Sequence, residues 1–95
     1  MAAYIIADVE VTNLAQYEDY KKFSTIAIQV HGAEVCVRGG NPKELEGGWA
    51  PSRIVVLKFD SVEKARAFNE SSEYARARES RAGAAVMRMI LVEGA

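Results

Sequence analysis

The hydrophobic pattern of this chain switches between a period of two and a period of three to four, and the order of those periods leaves few folds open. Residues 4–11 alternate, with Ile5, Ala7, Val9 and Val11 on one side and Tyr4, Ile6, Asp8 and Glu10 on the other. Thr12 and Asn13 are helix N-cap types. From Leu14 the apolar positions Leu14, Tyr17, Tyr20, Phe23, Ala27 and Val30 trace one helical stripe, and Gly32 is its stop. Residues 33–38 alternate again. Residues 53–59 form a nearly continuous β-branched run, expected of a central strand covered on both faces. Asp60 and Ser61 begin a second helical segment carrying Val62, Ala65 and Phe68, and Ser71 or Ser72 caps a further turn through Tyr74. Residues 85–92 close as a fourth strand. The order is β-α-β-β-α-β, the split βαβ or ferredoxin-like α+β arrangement, with an antiparallel sheet in the order 4-1-3-2 and both crossovers right-handed.

With 95 residues, 49% of them hydrophobic, the chain suits one domain spanning 1–95. Twelve basic and 13 acidic side chains leave a net charge of -1, without the positive excess that a nucleic-acid or acidic-membrane binder needs. No apolar run approaches the roughly 20 residues of a membrane span, and the first residues lack a basic signal-peptide region. A single cysteine and a single histidine exclude an internal disulfide and a zinc site built only from such ligands, and are too few for a haem or transition-metal centre. The composition is that of a cytoplasmic protein with no cofactor.

Both helices fall on one face of the sheet. Ile5, Ala7, Val9, Val35, Val37, Val55, Leu57, Phe59, Met87, Met89 and Leu91 are assigned to that covered face. The opposite face then carries Tyr4, Ile6, Cys36, Ile54, Val56, Val86, Ile90 and Val92. A wet face should read polar at these positions, and this one does not. At ~25 cal/mol per Å2, covering it is worth on the order of 10 kcal/mol before association costs. A second copy packed sheet to sheet under a two-fold axis meets that demand. Asp8, Glu34, Arg38, Lys58 and Arg88 are assigned to the same open face. They either pair across strands and at the rim, or line a pocket.

Arg38-Gly39-Gly40, Leu45-Glu46-Gly47, Trp49 and the strand from Arg53 to Phe59 resemble the DUF1330 family, a domain of unknown function, as do Tyr4-Ile5-Ile6-Ala7, Tyr17, Tyr20, Ser71-Ser72-Glu73-Tyr74 and Arg81. The likeness runs over essentially the whole chain. It implies a dimeric α+β barrel, in which two ferredoxin-like sheets face each other, and it implies no reaction. Lys58 stands where the family usually has Glu, and Asp60 where proline is common.

The reading that follows is a homodimer that binds a small anionic or polar organic molecule in a cleft on the open sheet face, with scope for cofactor-free proton transfer. Arg38 and Arg53 are the anion-binding candidates, with Lys58 beside them. Asp8 is the candidate base, and Tyr4 and Ile54 are walls. Arg38-Gly39-Gly40 reads equally as a turn that needs glycine at positive φ. Asp8 reads first as a salt bridge to Arg38, Lys58 or Arg88. The three helical tyrosines read first as core, Trp49 as an anchor for its loop, and Cys36 as a buried, inert thiol. The alternative is a non-catalytic dimer whose sheet face is purely an assembly interface.

Overall fold

A computed structural model describes residues 1–95. The elements are β1 (Ala3–Val11), α1 (Leu14–Val30), β2 (Glu34–Gly39), β3 (Arg53–Phe59), α2 (Val62–Glu70), α3 (Ser72–Ser80) and β4 (Ala85–Glu93). The four strands form one antiparallel sheet in the order β2-β3-β1-β4, the sequence-based order read from its other edge.

The helices begin where side chains can satisfy free backbone donors. Asn13 accepts from the Gln16 amide, Ser61 from that of Lys64, and Ser71 from that of Tyr74. Ser71 ends α2 and starts α3, so the second crossover is two short helices meeting at an extended residue. Gln16 ties α1 to the end of this crossover by donating to the carbonyls of Ser80 and Ala82.

The core lies between the sheet and the helices. Ala3, Ile5, Ala7 and Val9 of β1 and Leu57 and Phe59 of β3 are buried against Tyr17, Tyr20, Ala27, Ala65, Phe68, Tyr74 and Ala77. Phe68 is fully buried, with Phe59 and Tyr74 ring centroids at 5.2 and 4.8 Å. α2 lies directly on β1, β3 and β4, whereas α1 packs chiefly on α3 and stands off from the strands.

Two expectations about α1 and β2 are corrected. The helical stripe does not run from Leu14 to Val30, since both ends are exposed. Its inward positions are Tyr17, Tyr20 and Ala27, with Phe23 and Ile28 partly buried against the same core and, one further step on, His31. His31 meets Phe68 edge-on, and its Nε2 lies 3.0 Å from Glu73 Oε1. The second correction concerns β2, which does not alternate regularly. Glu34 and Val35 pair with Lys58 and Leu57, but Val37 and Arg38 pair with Val56 and Val55. One extra residue, Cys36, is accommodated in a β-bulge, which reverses the side to which every later side chain points. Val37 therefore joins the open face, and Arg38 turns to the helix-covered face. Cys36 is exposed on the chain rather than buried.

The open face is as apolar as the alternation requires. Val37, Val56, Ile6 and Ile90 are register partners in one row across all four strands. Flanking rows carry Glu34, Lys58, Tyr4 and Val92 on one side and Ile54, Asp8 and Arg88 on the other. Ile90 is 59% exposed and Val86 60%.

Candidate functional site

The gap left where α1 stands off from the sheet is a cleft with about 60 Å3 of free space at its centre. Its floor is the covered face of the sheet, including Ile5, Ala7, Val55, Leu57, Met87 and Met89, and its roof is Tyr17, Tyr20, Lys21, Ser24, Thr25 and Ile28 of α1. Arg38 and Arg53 line it from β2 and β3. No Asp, Glu or His is part of the lining.

Each cation reaches this place for a local reason. The bulge turns Arg38 inward, and Gly39 and Gly40 follow with φ of 88° and 69°, as a turn with glycines at positive φ requires. Arg53 is the register partner of Val9, which puts it on the covered face. Its guanidinium carbon lies 5.6 Å from the centroid of the Tyr17 ring, within cation–π range. A Cβ on Gly39 would lie 3.1 Å from Arg53 Nη1, so the glycine also makes room for the guanidinium. The Nε of Arg53 is buried and has no hydrogen-bond partner, and neither Arg53 nor Arg38 forms an ion pair. Lys21 differs, because its ammonium lies 2.9 Å from Glu18.

The inner end of the cleft is phenolic. The Tyr20 and Tyr74 hydroxyls are 3.0 Å apart, and the Tyr74 oxygen lies 3.8 Å from Met87 Sδ and 3.6 Å from Met89 Sδ. Burial, reinforced by Tyr74, pushes the Tyr20 phenol far above its ordinary value of 10.0, so it keeps its proton. Ser24 and Thr25 instead donate to the carbonyl of Lys21.

The site residues chosen from sequence are divided between two faces. Arg38 and Arg53 share the cleft. Asp8, Tyr4, Ile54 and Lys58 lie on the open face, and the cleft is not on that face. Asp8 Oδ2 accepts from Arg88 at 2.8 Å and from the Trp49 indole N–H at 3.1 Å. These two hydrogen bonds, the Arg88 one first, hold its carboxyl below the ordinary 3.8. Trp49 thereby anchors its loop to its own chain while the residue stays 58% exposed. Tyr17, Tyr20 and Tyr74 are core residues, as their spacing indicates, and they are also cleft wall. No three His, Cys, Asp or Glu side chains come together as a metal site, and no helix is long and apolar enough to cross a membrane.

The model of a domain of unknown function, DUF1330, matches residues 2–95. The chain belongs to the DUF1330 family. Among solved structures the fold resembles the RPA0582 protein of unknown function from Rhodopseudomonas palustris, at 18% identity and a TM-score of 0.77, over 99% of this chain and 82% of that one. A dimeric protein of unknown function with a ferredoxin-like fold from Bacteroides fragilis is 11% identical with a TM-score of 0.66, covering 98% and 96% of the two chains. SnoaB, a cofactor-independent oxygenase from Streptomyces nogalater, is 6% identical with a TM-score of 0.63, covering 99% and 93%. No curated protein matches the chain in sequence. At these identities the likeness shows the shared ferredoxin-like fold alone.

Proposed function

We propose that this DUF1330 chain is a homodimeric binder of small amphipathic organic anions, with the ligand held between the sheet and α1 and the partner held on the open face. The observation that carries the ligand half is the lining of the cleft. It contains two arginines without ionic partners, a largely apolar remainder, and no acidic side chain. A carboxylate would satisfy the guanidinium donors, and an apolar body would fill the floor. Asp8 acts as a structural tether in this reading rather than as a base, because Arg88 and Trp49 already occupy it on the other side of the sheet. With no general base in the lining, binding is favoured over proton abstraction.

The dimer half rests on the open face. Its continuous row of Val37, Val56, Ile6 and Ile90, bordered by Glu34, Lys58, Asp8 and Arg88, has the apolar centre and charged rim of a protein interface. The Bacteroides fragilis protein of the same fold is dimeric.

Titration of hexanoate and its neutral amide, followed by amide chemical shifts, tests the ligand half. The acid should bind, the amide should bind at least about tenfold more weakly, and Arg53→Gln should remove that difference. Arg38→Ala should weaken the acid while leaving the assembly intact. Equal binding of acid and amide, or none of either, would sink the anion reading.

A further inference from the structure

The cleft lining offers two kinds of donor, guanidinium and phenol; the Arg81 and Arg78 guanidiniums that lie 5.9 and 4.9 Å from the Tyr20 and Tyr74 ring centroids are not part of that lining. Tyr20 and Tyr74 are 2–6% exposed, and both belong to the lining. Two phenols have two protons to donate. Their mutual hydrogen bond, 3.0 Å long, uses one. The oxygen that donates the other has no oxygen or nitrogen acceptor within the chain, and the acceptors beside Tyr74 are the thioethers of Met87 and Met89 at 3.8 and 3.6 Å. Thioether sulfur accepts weakly. A buried O–H facing sulfur is therefore short of an acceptor, and a ligand oxygen entering the cleft would supply a better one.

The strand order gives a first measure of the span between this donor and Arg53. Arg53 is on β3, whereas Met87 and Met89 are on β4, two strands away with β1 between them. At the usual inter-strand spacing that is about 10 Å, before side-chain reach is counted. After a hydrogen bond of ~3 Å at each end, the guest has room for a few carbon atoms between its two polar groups.

We infer that the ligand class is a short oxo acid, with a carboxylate held by Arg38 and Arg53 and a ketone or other carbonyl oxygen, a few carbons away, accepting from the Tyr20–Tyr74 pair. This rests on the anion reading above and adds a second recognition point. The pair acts as a donor in binding; no group in the lining is placed to take a proton from the guest.

The probes are 4-oxopentanoate and 5-oxohexanoate against their deoxo counterparts pentanoate and hexanoate, titrated by amide chemical shifts. For at least one chain length the oxo acid should bind about 3- to 10-fold more tightly than its counterpart. Tyr20→Phe with Tyr74→Phe, which replaces both partners by apolar groups of the same shape and should fold, should abolish that preference without weakening pentanoate or hexanoate. The single variants identify which phenol faces the guest. Arg53→Gln should weaken all four acids. If all four acids bind and neither oxo acid is preferred, or if the double variant keeps the preference, the two-point inference falls while the anion reading stands. If none of the four binds, both fall together.

Discussion

Arg53 owes its position to a neighbour that is not there. Gly39 has φ of 88°, and a Cβ on it would stand 3.1 Å from the Arg53 guanidinium. Gly39→Ala therefore combines left-handed strain with crowding. It should cost about 1–2 kcal/mol by urea denaturation and weaken carboxylate binding through a displaced Arg53. Asp8 makes the complementary point on the other face. Its carboxyl is held below its ordinary 3.8, so the tether to Trp49 is in place at and above that value and is lost as pH falls through the lower, folded value. The fluorescence of the single tryptophan should be flat from neutral pH to about 4 and change below it. Asp8→Asn, which cannot attract Arg88 as a charge, should show an altered signal already at pH 7. A wild-type transition well above pH 4 would contradict the assignment. Neither Gly39's contact nor Asp8's choice of Arg88 over Lys58 and Arg38 can be read from residue types, because each depends on which side chains share a face.

At the scale of elements, period did most of the work. Strands and helices fall where the two periods place them, and Asn13, Ser61 and Ser71 cap as their residue types predict. The candidate site was harder to read. Ala33, Val35 and Val37 alternate more regularly than β2 does, and nothing in Val-Cys-Val marks Cys36 as the extra residue. That one residue moved Arg38 from the open face to the cleft, and with it the place where a ligand is expected. Deleting Cys36 should leave a regular strand in which Val37 remains outward and Arg38 inward, because one residue is removed exactly where two oppose one. Carboxylate affinity should then stay within about threefold, measured by the same titration. A collapse of binding would show that the bend of the bulge, and not its change of phase, positions Arg38. The helical stripe misled at its ends for a simpler reason: Leu14 and Val30 lie beyond what α1 presses against, while His31, polar by type, sits on the inward line.

For the whole molecule, a four-stranded sheet with apolar residues on both sides has a helix layer for only one of them. The second layer is proposed to be another copy. Ile90 is the informative probe, because it is 59% exposed on the protomer and an acid there costs a lone chain little. Ile90→Asp should therefore convert a dimer into a folded monomer in sedimentation velocity, and the wild-type melting temperature should rise with protein concentration while that of the variant should not. A wild-type chain that sediments as a monomer at micromolar concentration would remove the dimer half of the proposal.

The stand-off of α1 has an evolutionary corollary. Because that helix touches the strands through long side chains and not through close backbone approach, the chamber beneath it is upholstered rather than framed. Trimming Ile28 or Thr25 on the ceiling would enlarge the space without disturbing a strand pairing or a helix cap. Chains sharing this scaffold can thus diverge in the guests they admit by exchanging a handful of ceiling residues, with the architecture left alone.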